Sequence, residues 1–476
     1  MRRIEEIATV FKSQNYSLNN IIIETLKKFN IKTLCHQSGF KKEFGFSVPE
    51  IIMLLLMLPL MALKNVHQLY KSEYGKKVAM QKDALYRLKN NERHPWRRLL
   101  YAVAKMFKKQ TKSENTPTYR ATAFIVDDTT DAHVGYKIEN ISRVFDHVLR
   151  KTVYGFKILT LAYYDGTSSI PLDFTIHTEK KLERKKAKNQ YKKAVDPRSN
   201  GSKRRKETKT SKIMQAATMI KRAVKNGFVA DYVLCDAWFT SKDFIQQIRG
   251  IKDGAIHIIA GIRNDKRHYG YGEQMLNANQ IIGLLKKTDV HRCRKWNIRY
   301  MEAVVNYDGV GDVKLFICRY PGQKKWRVFI TTNTSLTFVK MMEVYGIRWT
   351  IEVMFRESKQ YLQLGSCQSQ DFDAQIASTT ITFVLYTLLA YLKRVGSYKT
   401  MGELFRLTQQ DICEKNLAER LWALFEELLA LIIDIIASNG AMDVTKLKQS
   451  EEYRYVKEVF ASSFLFEQMA FLEKSA

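Results

Sequence analysis

Between residues 119 and 262 the chain alternates strand-like and helix-like runs, and that alternation limits the fold more than any other feature of the sequence. TAFIV, FKILTLAYYD and SIPLDFTIH are successive β-favouring runs, KIMQAATMIKRAVKNG has helical spacing, and DYVLC is a fourth strand. TSKDFIQQIRG then reads as a second helix and AIHIIAGI as a fifth strand. The order βββαβαβ predicts an α/β fold, a mixed sheet covered by helices.

Two of these strands run straight into an acid. TAFIVDD ends its apolar run at Asp127, and ADYVLCDAWF ends at Asp236. Asp127 and Asp128 are neighbours, and strand side chains alternate in direction, so only one of them can share a face with Asp236. Asp127 is preferred because it directly follows the apolar run; Asp128 stays open as the alternative. Downstream, YGIRWTIEVMFRESKQYLQLG reads as one amphipathic helix. Tyr345, Arg348, Glu352 and Lys359 stand at offsets of 0, 3, 7 and 14, which confines them to an arc of about 60° at about 100° per residue. Val344, Ile347, Ile351, Met354, Phe355 and Leu362 form the adjoining apolar arc. The ordinary alternative is a pair of turn or cap aspartates and an i,i+4 Arg348–Glu352 pair on an exposed helix.

The spacing Tyr, two residues, Arg, three, Glu, six, Lys resembles the YREK signature of bacterial DDE transposases of the insertion-sequence-four type, and the likeness continues in IRWTIEVMFRESK and QSQDFDAQIAS. It covers roughly residues 120–395. The resemblance implies a ribonuclease-H-like core in which Asp127, Asp236 and Glu352 are catalytic and hold two Mg²⁺ ions, with Mn²⁺ as a substitute. Tyr345, Arg348 and Lys359 would bind DNA phosphates. Double-stranded DNA, as transposon ends and target, would be the substrate, cut and joined within a homodimeric synaptic complex. Three hard oxygen donors suit such ions, which can activate a hydroxyl and stabilise the leaving oxygen of an in-line displacement. A nuclease of the same fold without strand transfer, and a non-catalytic DNA-binding protein derived from a transposase, are the competing readings.

Charge agrees with a nucleic-acid partner: 78 Lys plus Arg against 48 Asp plus Glu give a formal +30. Basicity alone would equally fit an RNA-binding or membrane-surface protein. Residues 1–115 read as a helical region, and Trp96, Arg97 and Arg98 within it suit either recognition of DNA ends or plain helix packing. QTKSENTPT at 110–118 reads as a linker. Residues 119–262 form the first part of the core, interrupted at 180–212 by a segment with 15 Lys or Arg against 3 acids, expected to be flexible when unbound. Its two readings are a phosphate-binding arm and a solvated loop.

Residues 263–333 read as a β-rich insertion, 334–395 as the rest of the core, and 396–476 as a helical C-terminal region. Trp238, Trp296 and Trp326 could be stacking platforms for a displaced base, a use the resemblance implies, or buried packing residues. The six cysteines lack metal-ligand spacing and read as reduced core thiols of a cytoplasmic protein. No membrane or export segment stands out: Ile51–Leu63 has 13 residues with Pro59 inside, below the ~20 that span a bilayer, and reads as a buried helix.

Overall fold

A computed structural model of the chain describes residues 18–412 except 43, 73, 76, 77, 113–119, 264–266, 287, 288, 397 and 411, together with Phe425. Most of the expected 110–118 linker and of the 396–476 helical region therefore lies outside the described residues. The chain divides into two compact units: one comprises residues 1–89, 361–366 and 388–476, the other 90–360 and 367–387.

The first unit is helical where described, with helices at Leu18–Phe29, Ile31–Ser38, Val48–Met57, Val66–Lys71 and Lys82–Lys89. Local sequence sets their ends. Asn30 takes φ 46° and its side chain accepts from the Thr33 N–H, while Gly39 at φ 90° closes the next helix in the left-handed region that disfavours a Cβ. Ser47 and Glu50 form a reciprocal capping box with Pro49 in the first turn. The apolar stretch noted from Ile51 is this buried helix, which stops at Met57 before Pro59.

The second unit is built on one mixed sheet. Its strands are β1 Ala123–His133, β2 Ser142–Asp146, β3 Lys151–Tyr164, β4 Ser169–His177, β5 Tyr232–Cys235, β6 His257–Ile262, β7 His268–Tyr271, β8 Gln274–Asn277, β9 His291–Cys293, β10 Ile298–Tyr307, β11 Gly311–Arg319 and β12 Arg327–Thr331. The path runs β2-β3-β1-β5-β6-β12-β11-β10-β7-β8, with β4 on β3 and β9 on β10. The expected α/β architecture holds, and it is consistent with a ribonuclease-H-like core. Two particulars differ from the sequence reading. β1 does not end at Asp127 but continues to His133, because β3 is 14 residues long and offers β1 a partner along its whole length. β2, a five-residue strand, was not anticipated. The segment read as a β-rich insertion, 263–333, contributes β7 to β12, and β12 pairs antiparallel with β6, so its strands continue the core sheet.

Both faces are covered. On one, the helix Trp96–Gln110 lies on β4 and the helix Lys212–Lys225 on β3 and β4. On the other, Phe372 meets Phe156 at 6.1 Å and Phe383 meets Phe174 at 5.6 Å, which seats the helix Phe372–Val395. That helix is long and apolar enough to cross a membrane by composition alone, a property the sequence reading passed over; 94% of its most apolar window is buried inside the structure.

The basic segment 180–212 is not a flexible arm. It contains the helices Arg184–Lys188 and Asn200–Glu207, and several of its cations are consumed internally. Arg205 pairs with Glu139 at 2.7 Å and with Asp373 at 2.9 Å, and Lys193 pairs with Asp371 at 3.1 Å and Asp373 at 3.0 Å. Arg204 is buried and its guanidinium lies 4.7 Å from the Phe174 ring centre. Trp96 is buried, and Arg97 bridges Asp173 and Glu207 at 2.8 Å each, so these two residues serve packing and not base readout.

Asp173 is fully buried and accepts from Arg97, Arg222 and the Tyr101 hydroxyl. Burial alone would raise its carboxyl, but Arg97, Arg222 and Arg204 outweigh burial and hold it below its ordinary 3.8. Glu207 is likewise held below 4.5, burial being outweighed by Arg97 and Arg204. Replacing Asp173 by Ala leaves buried guanidinium groups uncompensated and should cost about 3–5 kcal/mol in denaturant unfolding. Since both folded-state values are depressed, the cluster's contribution is full above the ordinary carboxylate values and is lost as the pH falls below them; the D173A protein should therefore lose less stability on acidification than the wild type.

Candidate active site

The parallel pairing of β1 with β5 sets the site. Its register joins Ala123 to Tyr232 and so on to Val126 with Cys235, so Asp127 and Asp236 are the next residues along two adjacent strands. They project from the same face. Asp236 leaves β5 in a turn that its own atoms close: Oδ1 accepts the Trp238 N–H at 2.9 Å and its carbonyl accepts the Thr240 hydroxyl at 3.2 Å. Asp128 projects from the opposite face, where its Oδ2 accepts from Lys212 Nζ at 2.7 Å and its Oδ1 lies 3.8 Å from Lys157 Nζ.

Glu352 arrives from above this face. Contrary to the single helix expected, Tyr345 and Glu352 lie on two helices, Phe338–Gly346 and Trp349–Tyr361, with a turn at Ile347 and Arg348. Arg348 sits in the break and clamps two acids at once. Its Nη1 donates to Asp127 Oδ2 at 3.1 Å and its Nη2 to Glu352 Oε1 at 2.6 Å. The Tyr345 hydroxyl lies 3.5 Å from the Cys235 carbonyl, and its ring packs on Phe329 at 4.8 Å; burial pushes that phenol up to about 12. Lys359 is farther along β1, donating to the Thr130 carbonyl at 2.7 Å, and burial lowers its ammonium.

All six side chains expected from the sequence thus border one sheet face. Asp127, Arg348 and Glu352 are in direct contact, Tyr345 touches the strand carrying Asp236, and Lys359 is tied to the backbone three residues beyond Asp127. One further residue at the site was not anticipated. Trp349, next to Arg348, is 58% exposed, signalled only by its place off the apolar arc. Lys212 ties Asp128 and lies 4.5 Å from the ring centre of Trp238. Trp238 is exposed, whereas Trp296 and Trp326 are half-buried beside Lys295 and Arg319.

Could this donor set hold divalent cations? Among the described residues no three His, Cys, Asp or Glu side chains close on a common point, because the Arg348 guanidinium stands between Asp127 and Glu352. Asp127 and Asp236 nonetheless supply hard oxygens on one face. Burial pushes the Asp127 carboxyl up to about 7, against the Asp128 N–H it accepts and Arg348, with Asp236 and Asp128 adding like charge. Two carboxylates on one face are donors that fit a hard cation, and Asp127 and Asp236 could serve as its ligands, with Glu352 as a third if Arg348 released it.

A family model described as DDE superfamily endonuclease matches residues 54–280. The likeness is to a DDE superfamily endonuclease. It supports a DDE transposase-type family and, in the words of its description, an endonuclease. The match takes in Asp127 and Asp236 and stops ahead of Glu352. No curated protein matches the chain.

A raised carboxyl makes its own pH signature. Because the folded-state value of Asp127 lies above the ordinary 3.8, the stability it lends is complete below that value and is lost as the pH rises through about 7. Metal-free protein should therefore unfold at lower denaturant at pH 8 than at pH 6, and Asp127→Asn should flatten that slope; thermal or denaturant melts at the two pH values decide it.

Proposed function

We propose that the chain is a transposase of the insertion-sequence-four type, which cleaves transposon ends and joins them to target DNA with two Mg²⁺ ions, Mn²⁺ substituting. The observation that carries this reading is the β1–β5 register, which sets Asp127 beside Asp236 under a helix that brings Glu352 through Arg348. Asp127, Asp236 and Glu352 are the metal ligands in this reading. The ions would activate the attacking hydroxyl and stabilise the leaving oxygen. Arg348 and Lys359 hold the phosphates of the DNA end, with the fork of Arg348 suited to a phosphate it can grip with two N–H groups; Tyr345 backs Arg348, whose guanidinium lies 5.7 Å from its ring centre. Two copies of the chain would hold the two ends in the synaptic complex.

A nuclease that stops at cleavage is the second reading, favoured by the description of the matched family. Purified protein, labelled end DNA and Mg²⁺ separate the two: joined products support the transposase, and cleavage alone the nuclease. Single Ala replacements of Asp127, Asp236 or Glu352 should each abolish metal-dependent cleavage while end binding persists, because a two-metal site fails when any ligand is missing. Near-normal cleavage by the Asp127 variant together with loss in an Asp128 variant would move the site to the other sheet face.

Arg348 gives a further test. Since its guanidinium competes with a cation for Asp127 and Glu352, Arg348→Ala should bind Mg²⁺ at least as tightly as wild type in calorimetry, yet fail in end joining. A fall in metal affinity like that of Glu352→Ala would place Arg348 in support of the ligands and not on the DNA.

A further inference from the structure

Two backbone N–H groups orient the aspartates of the site, and one lysine touches the residues that supply both. Asp127 Oδ1 accepts the Asp128 N–H at 2.8 Å, and Asp236 Oδ1 accepts the Trp238 N–H at 2.9 Å. Each bond takes up one carboxylate oxygen and restricts rotation of the other. The side chains of the two donor residues converge on Lys212. Its Nζ donates to Asp128 Oδ2 at 2.7 Å and stands 4.5 Å from the Trp238 ring centre.

The backbone of Lys212 is anchored and its charge is answered within the protein. It is the first residue of the helix Lys212–Lys225, whose Ala216, Ala217, Met219 and Ile220 are buried. Glu179 joins Asp128 on its ammonium, at 3.3 Å against 2.7 Å, and its side chain is 14% exposed. Trp238 is placed quite differently. It sits in the turn after β5, 38% exposed, and its ring is held by the Lys212 ammonium and by an edge contact with Phe239 at 5.0 Å. A cation over an indole face is attractive, and more so where water is excluded. The turn that carries the Trp238 N–H is therefore tied to the core helix through Lys212.

We propose that Lys212 is a positioning residue for the two aspartates: through Asp128 and Trp238 it steadies the N–H groups that aim the Asp127 and Asp236 carboxylates, and so holds both ready for a divalent cation. Partners of this kind matter because a ligand left free to rotate must be ordered when the ion arrives, and the ordering weakens binding. The larger effect belongs to Asp236. Asp128 keeps Lys157 at 3.8 Å and its place in β1 when Lys212 is removed, whereas the Trp238 ring keeps only Phe239. A phosphate contact is the other use open to a lysine here, but two carboxylates already surround its ammonium and little of the side chain reaches solvent. The inference rests on the proposed role of Asp127 and Asp236 as metal ligands.

The test is calorimetric titration of full-length, DNA-free protein with Mn²⁺. Lys212→Met should bind Mn²⁺ about 10-fold more weakly than wild type, and Lys212→Arg, which keeps a cation for Asp128 and for the ring, should restore most of that loss. Trp238→Ala keeps the N–H but removes the ring, and should weaken Mn²⁺ binding by a similar factor. Because both substitutions loosen the same turn, K212M/W238A should lose less than the product of the single losses. Two results would overturn the proposal. One is wild-type Mn²⁺ affinity in folded K212M with only a lower melting temperature, the mark of a structural ion pair. The other is wild-type Mn²⁺ affinity together with weaker duplex binding and a slope of log affinity against log salt flatter by about 0.9, the mark of a phosphate contact. Should K212M not fold, W238A at its exposed position carries the test, and wild-type Mn²⁺ affinity there overturns the proposal equally. If Asp236→Ala binds Mn²⁺ as tightly as wild type, the reading of the acids fails; if it loses Mn²⁺ while K212M and W238A keep it, only the assignment of Lys212 does.

Discussion

The parallel pairing of β1 with β5 is the constraint on which the rest of the site depends. Two short apolar runs far apart in sequence, Ala123 to Val126 and Val233 to Cys235, are buried and pair in the register that buries both. A slip of one residue would turn every side chain of β1 to the other face and would exchange Asp127 for Asp128. The hydrophobic pattern therefore decides which of two adjacent aspartates meets Asp236. Asp128, displaced to the opposite face, finds Lys212 and Lys157, which compensates an acid that would otherwise be stranded near the core.

The net charge is distributed quite differently from its appearance in the sequence. Segment 180–212 has the composition of a disordered polycation, but disorder follows only when charges lack partners and apolar anchors. Here Glu139, Asp371 and Asp373, all remote in sequence, supply partners for Arg205 and Lys193, while the rings of Phe174 and Phe372 lie beside Arg204 and Arg205. Buried ion pairs of this kind add little net stability over an apolar packing and cost several kcal/mol when one partner is removed. Their effect is to make the fold of this segment conditional on the sheet and on the helix that begins at Phe372. Exposed cations of the described residues, such as Arg143, Arg150 and Lys151 on the β2–β3 hairpin, stay at the surface.

What could be read in the sequence was whatever local pattern carries. The alternation of runs located β1, β3, β4, β5 and β6, and the apolar arc after Val344 located the helical turns that carry Glu352. What could not be read depended on partners far away. β1 runs past Asp127 because β3 is long enough to pair with it, and the insertion joins the core sheet because β12 finds β6; neither partner leaves a mark in the local pattern. The break at Ile347 and Arg348 was invisible for the opposite reason. Ile347 keeps a helix-like conformation, and the Arg348 and Ile351 N–H groups still bond back to Tyr345 and Arg348, so the turn leaves no breaker residue to read. The salt bridges that order the basic segment link residues up to 180 positions apart, beyond any motif.

Arg348 shows how these levels meet. A +30 chain attracts DNA from a distance, but at the site itself a phosphate must approach carboxylates. Like unit charges about 4 Å apart repel by about 4 kcal/mol at an effective dielectric of about 20, so neither the acids alone nor the acids with DNA are stable neighbours without added positive charge. In the structure that charge is the guanidinium between Asp127 and Glu352. A guanidinium and a divalent ion answer the same electrostatic need; in the proposed reading an ion would release the acids from Arg348 and leave its fork for an incoming phosphate. Placed in a turn between two helices, Arg348 belongs to neither, and its two N–H groups join an acid on the sheet to an acid on the helix that follows.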